Sequence, residues 1–211
     1  MPFLTKLFNS MKTFDVLIIG GGAAGMSCAL ILGSAKSKPF ATDKKIGVIM
    51  HQKASALSSG VFNNVLGFSA GTIGSDILKN GKEQLKNTYP HVLQIEKEKV
   101  LKVIQQDDFI LVTTNKNEYQ TQNVVVAIGP SNLFNIEGLI DFVEPHQMLP
   151  IAKERIQLRN NNHLVTKNIY VAGVLAGWRS QFAIAAGSGS QVATDILTKW
   201  NDNKPAMVHD K

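Results

Sequence analysis

The sequence predicts a single α/β domain, a parallel sheet flanked by helices with a small antiparallel β-meander. Three observations predict it. Residues 15–20 form a β-branched, apolar run that enters a glycine-rich turn and then an apolar helix. The middle third changes to short alternating segments separated by charged or Asn-containing turns. Two further apolar runs, 124–129 and 168–173, each end in glycine, and a helix closes the pattern.

The elements follow in order. The first strand, 15–20, leads into Gly20-Gly-Gly-Ala-Ala-Gly25, and the helix after it spans 26–32. Gly33 and a polar loop with Pro39 end that helix, and 46–50 is the next strand, which completes a βαβ unit. A Ser- and Asn-rich loop leads to Gly67-Phe68. A helix then runs from near Ser75, read as its N-cap, to Thr88. Strands are expected at 91–95, 99–105, 109–114 and 118–127, and a last buried strand at 168–172. The closing helix is expected over 182–200. Residues 1–13 read as an N-terminal extension, 131–167 as an irregular connector and 201–211 as a flexible tail.

Composition narrows the function. The chain has 211 residues, 44% hydrophobic and 18% charged, enough for one well-packed domain. Its one cysteine, Cys28, rules out an internal disulfide, a CxxC redox pair and a cysteine-based metal site. No metal site is expected. No apolar run reaches the length of a membrane span, and the N-terminus lacks a small-residue cleavage site, so a cytoplasmic protein is expected. The net charge of +6 comes almost entirely from lysines scattered along the chain. Dispersed lysine makes a solvated surface and not the focused basic stripe of a nucleic-acid site, so neither nucleic acid nor membrane is an expected partner.

The site chemistry begins at Gly20-x-Gly22-x-x-Gly25, placed after a strand and opening a helix. There Gly20 permits the turn, Gly22 lets a pyrophosphate approach the backbone, and Gly25 lets helix and strand pack closely. Free N–H groups and the helix dipole face the phosphates. The second strand closes on His51-Gln52 and not on the acid that usually grips the adenosine ribose. Either side chain offers a ribose hydrogen bond, and a surface role for His51 stands equally open. His91, His146 and His163 read as structural, and no general base stands out.

Taken together these segments resemble the FAD domain of the small thioredoxin-reductase-like (pyridine nucleotide-disulfide oxidoreductase) flavoproteins, a Rossmann-like fold. The family's Asn-Tyr/Trp-Pro-Gly-Phe corresponds to Asn64-Val65-Leu66-Gly67-Phe68, and its Ala-Thr-Gly to Ala127-Ile128-Gly129. Its closing Ala-Gly-Asp and Arg-Gln-Ala correspond to Ala172-Gly173-Val174 and Ser180-Gln181-Phe182. The resemblance implies FAD as cofactor. Gly20, Gly22, Ala23 and Ala24 would cradle the pyrophosphate, with His51 and Gln52 at the ribose. It implies that Lys99 and Val100 present backbone to the adenine. Asn64, Ala127, Ile128 and Gly129 would line the cleft, and Gly173, Val174, Gln181, Phe182 and Ala183 would approach the ribityl chain and flavin ring. Trp178 and Arg179 fall beside the implied flavin edge and are the catalytic candidates, with Arg179 suited to an anionic reduced flavin.

Two departures stand out. The family's ribityl-binding Asp is Val174 here, a loss worth roughly 1.5–3 kcal/mol of hydrogen bonding to a charged acceptor. The family's inserted NADPH domain, with its second glycine fingerprint and CxxC, is replaced by residues 131–167. The expectation is therefore a minimal FAD-binding oxidoreductase without dithiol chemistry, reduced by a diffusible small molecule or a separate protein. A non-catalytic flavin- or nucleotide-binding module is the alternative, and an NAD(P)-binding protein a third. Self-association into a homodimer is left open.

Overall fold

The computed structural model describes residues 11–51, 55 and 57–208. Gln52 lies outside the described residues. In chain order the elements are β1 (Lys12–Ile19), α1 (Ala23–Ser34), β2 (Ile46–Met50), β3 (Val61–Phe62), β4 (Thr72–Ile73) and α2 (Gly74–Thr88). Next come β5 (Val92–Glu96) and the meander of β6 (Val100–Gln105), β7 (Ile110–Thr114) and β8 (Glu118–Val126). Then come β9 (Val143–Pro145), β10 (Ile156–Leu158), β11 (Leu164–Thr166), β12 (Ile169–Val171) and α3 (Phe182–Trp200).

The main sheet runs β11-β12-β8-β1-β2-β5, with β6 and β7 extending from β8. The pairs β12–β8, β8–β1, β1–β2 and β2–β5 are parallel. The pairs β6–β7 and β7–β8 are antiparallel. Strand alternation splits the core into two layers. Val16 and Ile18 of β1 join Val125 of β8 and Tyr170 of β12 on the side of α1 and α3. Leu17 and Ile19 join Val124, Val126 and Val171 on the other side. The central strands are buried on both faces, which is why they read as unbroken apolar runs.

Four boundaries differ from the sequence reading, and one is α1, which runs Ala23–Ser34 where 26–32 was expected. β1 starts at Lys12, because Lys12, Thr13 and Phe14 pair with Tyr119, Gln120 and Thr121; the polar start of the strand hid this. α2 starts at Gly74 with Ile73 at the N-cap, so Ser75 sits inside the first turn. After α3, Ala206 is buried in the first core layer and Val208 packs against it, so the segment through residue 208 is docked on the domain.

The connector is built as well. β9 and β10 form an antiparallel pair, and Ile136, Leu139 and Leu158 are buried in the second core layer. Glu137 accepts from Val103 N–H, donates its own N–H to Leu101 carbonyl, and pairs with Lys102 at 2.8 Å, tying the connector to β6. Residues 131–167 thus close the side of the sheet opposite α1 and α3.

Candidate nucleotide-binding site

The glycine loop is fixed by contacts that only glycine allows. A Cβ on Gly25 would lie 1.9 Å from Gly20 carbonyl oxygen, and one on Gly20, whose φ is +115°, would lie 2.4 Å from Ala127 carbonyl oxygen. A Cβ on Gly189 of α3 would lie 1.9 Å from Ala24 carbonyl oxygen, so α1 and α3 cross backbone to backbone. Gly22 differs: among the described residues a Cβ there would meet only Ser55 Oγ, at 4.0 Å. Gly22 is also the N-cap of α1 and has no capping side chain. The first-turn N–H groups are left for a ligand, at the positive end of the helix dipole.

A cavity of about 580 Å³ opens in front of this loop. Gly20, Gly21 and Gly22 form its floor. Met50 and His51 at the end of β2 form one side, and Ser75, Leu78, Lys79 and Lys82 of α2 continue it. Glu98, Lys99 and Val100 also line it, with Ile128, Gly129, Leu133, Phe134 and Ile136. Of the residues singled out from sequence, Gly20, Gly22, His51, Lys99, Val100, Ile128 and Gly129 meet at this cavity.

Others do not line it. Ala23, Ala24 and Gly25 lie behind the loop in the first turn of α1. Ala127 is buried and donates its N–H to Ile19 carbonyl. Asn64 is exposed on the loop between β3 and β4. Lys99 N–H donates to Asn115 Oδ1 at 2.8 Å and its carbonyl accepts from Asn115 N–H at 2.9 Å. That N–H is therefore committed within the protein, and Val100, which pairs with Thr114, lines the cavity beside it.

The C-terminal element does not line the cavity; two of its polar groups are paired within the protein, and α3 opens at Gln181 with no side-chain cap. Gly173 N–H donates to Ser188 Oγ at 2.7 Å. His146 is buried, its Nδ1 accepts from Met148 N–H, and its Nε2 lies 2.9 Å from Val174 carbonyl, the arrangement of a neutral imidazole donating through Nε2. Phe182 stacks edge-on with Phe62 and Phe68, at centroid distances of 5.8 and 5.1 Å. Gln181 and Ala183 are exposed at the start of α3. The pair read as catalytic candidates is separated from the cavity too: Trp178 stacks on His163 at 5.8 Å, and Arg179 is exposed.

Sequence reasoning placed the helix α2 but missed that it lines the site, as does Glu98. Glu98 is 6% exposed and accepts from Thr114 Oγ1 (2.7 Å), Asn117 Nδ2 (2.7 Å) and Tyr119 Oη (2.9 Å). Three neutral donors replace the water a buried carboxylate loses. Burial, then the hydrogen bond and charge of Glu98, push the Tyr119 hydroxyl up to about 12, so it stays a donor. A signal for α2 existed in Ser75, Lys79 and Lys82, spaced on one helix face; Glu98 had none, because its partners come from a distant hairpin. Cys28 is fully buried on α1, and burial pushes its thiol up, so it is an inert core residue.

Residues 14–174 match the family model described as pyridine nucleotide-disulphide oxidoreductase. Among curated proteins the chain is 24% identical over 193 residues to an uncharacterized oxidoreductase CzcO of Bacillus velezensis, covering 87% of this chain and 52% of that protein. It is 28% identical over 164 residues to a ferredoxin–NADP reductase of Pediococcus pentosaceus, covering 77% and 47%. The chain spans about half the length of these relatives. Among solved structures, a thioredoxin reductase from Gloeobacter violaceus matches with TM-score 0.72 at 14% identity, over 93% of this chain and 99% of that one. An oxidoreductase from Agrobacterium tumefaciens matches with TM-score 0.71 at 13% identity, over 92% and 100%. The mostly parallel sheet with its meander is the fold these structures share. No helix among the described residues is long and apolar enough to cross a membrane. With the glycine loop inside a match that covers most of its length, the chain belongs to the pyridine nucleotide-disulphide oxidoreductase family.

Proposed function

We propose that the chain is a minimal FAD-dependent oxidoreductase whose phosphate loop and adenosine pocket hold the cofactor. One observation carries this reading: the uncapped α1 terminus at Gly22, the end of β2 and the Val100 edge converge on one cavity. Gly20, Gly22, Ala23 and Ala24 take the pyrophosphate, His51 with Gln52 the ribose, and Val100 the adenine edge. Asn64, Ala127, Ile128 and Gly129 border the cleft toward the flavin, and Gly173, Val174, Gln181, Phe182 and Ala183 border its ribityl and ring end. The flavin, when bound, supplies the electron transfer, while the protein orients it and shields it from water. Electrons come from a diffusible donor or a separate protein, because the interval between Gly129 and Ile169 holds neither a second glycine fingerprint nor a cysteine.

The second reading is a flavin- or nucleotide-binding module without catalysis. The pairing of Gly173 with Ser188, of Val174 with His146 and of Phe182 with two phenylalanines favours it. An absorbance spectrum of the purified protein, before and after adding FAD, tests both. Flavin bands that bleach anaerobically with NADH or NADPH support the enzyme. Bands that no donor bleaches leave the module, and a protein that stays colourless after FAD is added defeats both.

A further inference from the structure

The connector grips the turn that follows β12. Residues Gly173–Ala176 form a single 3-10 turn, closed by Gly177 at a φ of +89°. Side chains between residues 146 and 160 hold this turn at three points. His146 is buried, and its Nδ1 accepts Met148 N–H at 3.1 Å, so its Nε2–H donates to Val174 carbonyl at 2.9 Å. The same carbonyl closes the turn by accepting Gly177 N–H at 3.0 Å. Asn160 Nδ2 donates to Ala176 carbonyl at 3.2 Å. Gln157 is buried beside Gly177, where a Cβ would lie 3.0 Å from its Oε1. Gln157 is itself fixed, accepting from Gln147 N–H at 3.1 Å and donating to Glu144 Oε1 at 2.7 Å. Leu175 and Ala176 dock the turn in the second core layer, which leaves the orientation of its carbonyl edge to His146 and Asn160. The turn also packs on the helix that carries the glycine loop, since a Cβ on Gly173 would lie 3.0 Å from Ala24 Cβ. That helix has backbone contacts of its own at Gly25 and Gly189, so the phosphate loop does not rely on the turn for its place.

We infer that the connector sets the flavin end of the cleft, with His146 as a positioning residue for the flavin. The inference rests on the proposed place of Gly173 and Val174 beside the ribityl chain. A turn fixed before the ligand arrives need not be ordered on binding, so the bond from His146 to Val174 carbonyl acts on affinity for the flavin part of the ligand. The adenosine and pyrophosphate meet other elements and gain nothing from it. Residues 131–167 thus do more than close one side of the sheet: they orient the backbone against which the flavin lies.

Fluorescence titration of the full chain with FAD, beside isothermal titration with ADP-ribose, tests this, because ADP-ribose has the adenosine and pyrophosphate without the flavin. H146F keeps a ring but no donor. It should weaken FAD about fivefold or more, of the order of one buried hydrogen bond, and change ADP-ribose by less than about twofold. H146Q restores an N–H donor and should recover most of the FAD affinity. I151S, at a connector position that is 94% exposed, should leave both affinities unchanged. Unchanged FAD affinity in H146F overturns the inference. So does an equal loss for both ligands, the mark of a merely structural histidine, or a loss that H146Q does not recover. If H146F fails to fold, N160A carries the same comparison, with FAD expected to weaken about threefold and ADP-ribose to stay; an equal change in both, or none, overturns the inference. A parent protein that binds FAD but fails these comparisons overturns the inference alone, and one that binds no FAD overturns the proposed function with it.

Discussion

The two ends of the candidate cleft are built differently. At the adenosine end, Gly22 opens an uncapped helix terminus into a cavity whose walls come from β2, α2 and the start of β6. At the other end, residues 173–183 do not line that cavity: Gly173 N–H is held by Ser188, Val174 carbonyl by His146 and the Phe182 ring by Phe62 and Phe68, while α3 opens at Gln181 without a side-chain cap. Buried polar groups need partners, and a site receptive to a ligand leaves some unmet until the ligand arrives. Because the open cavity lies at the adenosine end, that end should supply the larger share of the binding energy.

The largest expected effect removes the basis of the comparison. Gly25→Val places a side chain against Gly20 carbonyl oxygen, where even a Cβ would lie at 1.9 Å. Urea unfolding should show a loss of about 3 kcal/mol or more, since backbone cannot move aside as a flexible side chain does. Gly22→Asp should separate binding from folding. The position is open, so stability should stay within about 0.5 kcal/mol of the parent. A carboxylate facing the pyrophosphate should weaken FAD by about 30-fold or more, read by quenching of flavin fluorescence.

A smaller change sharpens the contrast at the other end. Val174→Asp restores an acceptor for the ribityl hydroxyls, and FAD should bind about tenfold tighter while ADP-ribose is unchanged. An equal gain for both ligands would mean that residue 174 acts on the whole fold and not on the flavin end. The smallest effect lies away from both ends. His91 Nε2 is 3.1 Å from Gly33 carbonyl, and its pKa is lowered from 6.5, first by burial, with the hydrogen bond to Gly33 raising it and Lys36 lowering it further. A lowered value means that the folded state favours the neutral ring. Stability should therefore decline as pH falls through 6.5 toward the folded value and level off below it. His91→Gln should flatten that slope, and FAD should not alter it.

Much of this was legible because it is local. The glycine loop, the buried strands and the meander follow from period and turn chemistry over a few residues, and each strand prediction fell within a few residues of its element. What escaped was non-local. Lys12 and Thr13 gave no apolar signal, and their strand exists because β8 offers a partner. The connector read as irregular because Ile136, Leu139 and Leu158 are spaced by neither strand nor helix period, yet they fill one core layer. Glu98 depends on a hairpin 16 to 21 residues away, and its burial leaves no mark in its neighbours. Trp178 stacks on His163 and Arg179 is exposed, contacts that position in the chain does not announce.

The most direct measurement compares the dissociation constants of FAD and FMN for the purified protein by fluorescence titration. FMN has the flavin ring and ribityl phosphate without the adenosine. If the adenosine end supplies the binding, FAD should bind at least about 100-fold more tightly, the worth of a few kcal/mol at the loop and adenine edge. Equal affinities for FAD and FMN would contradict the account.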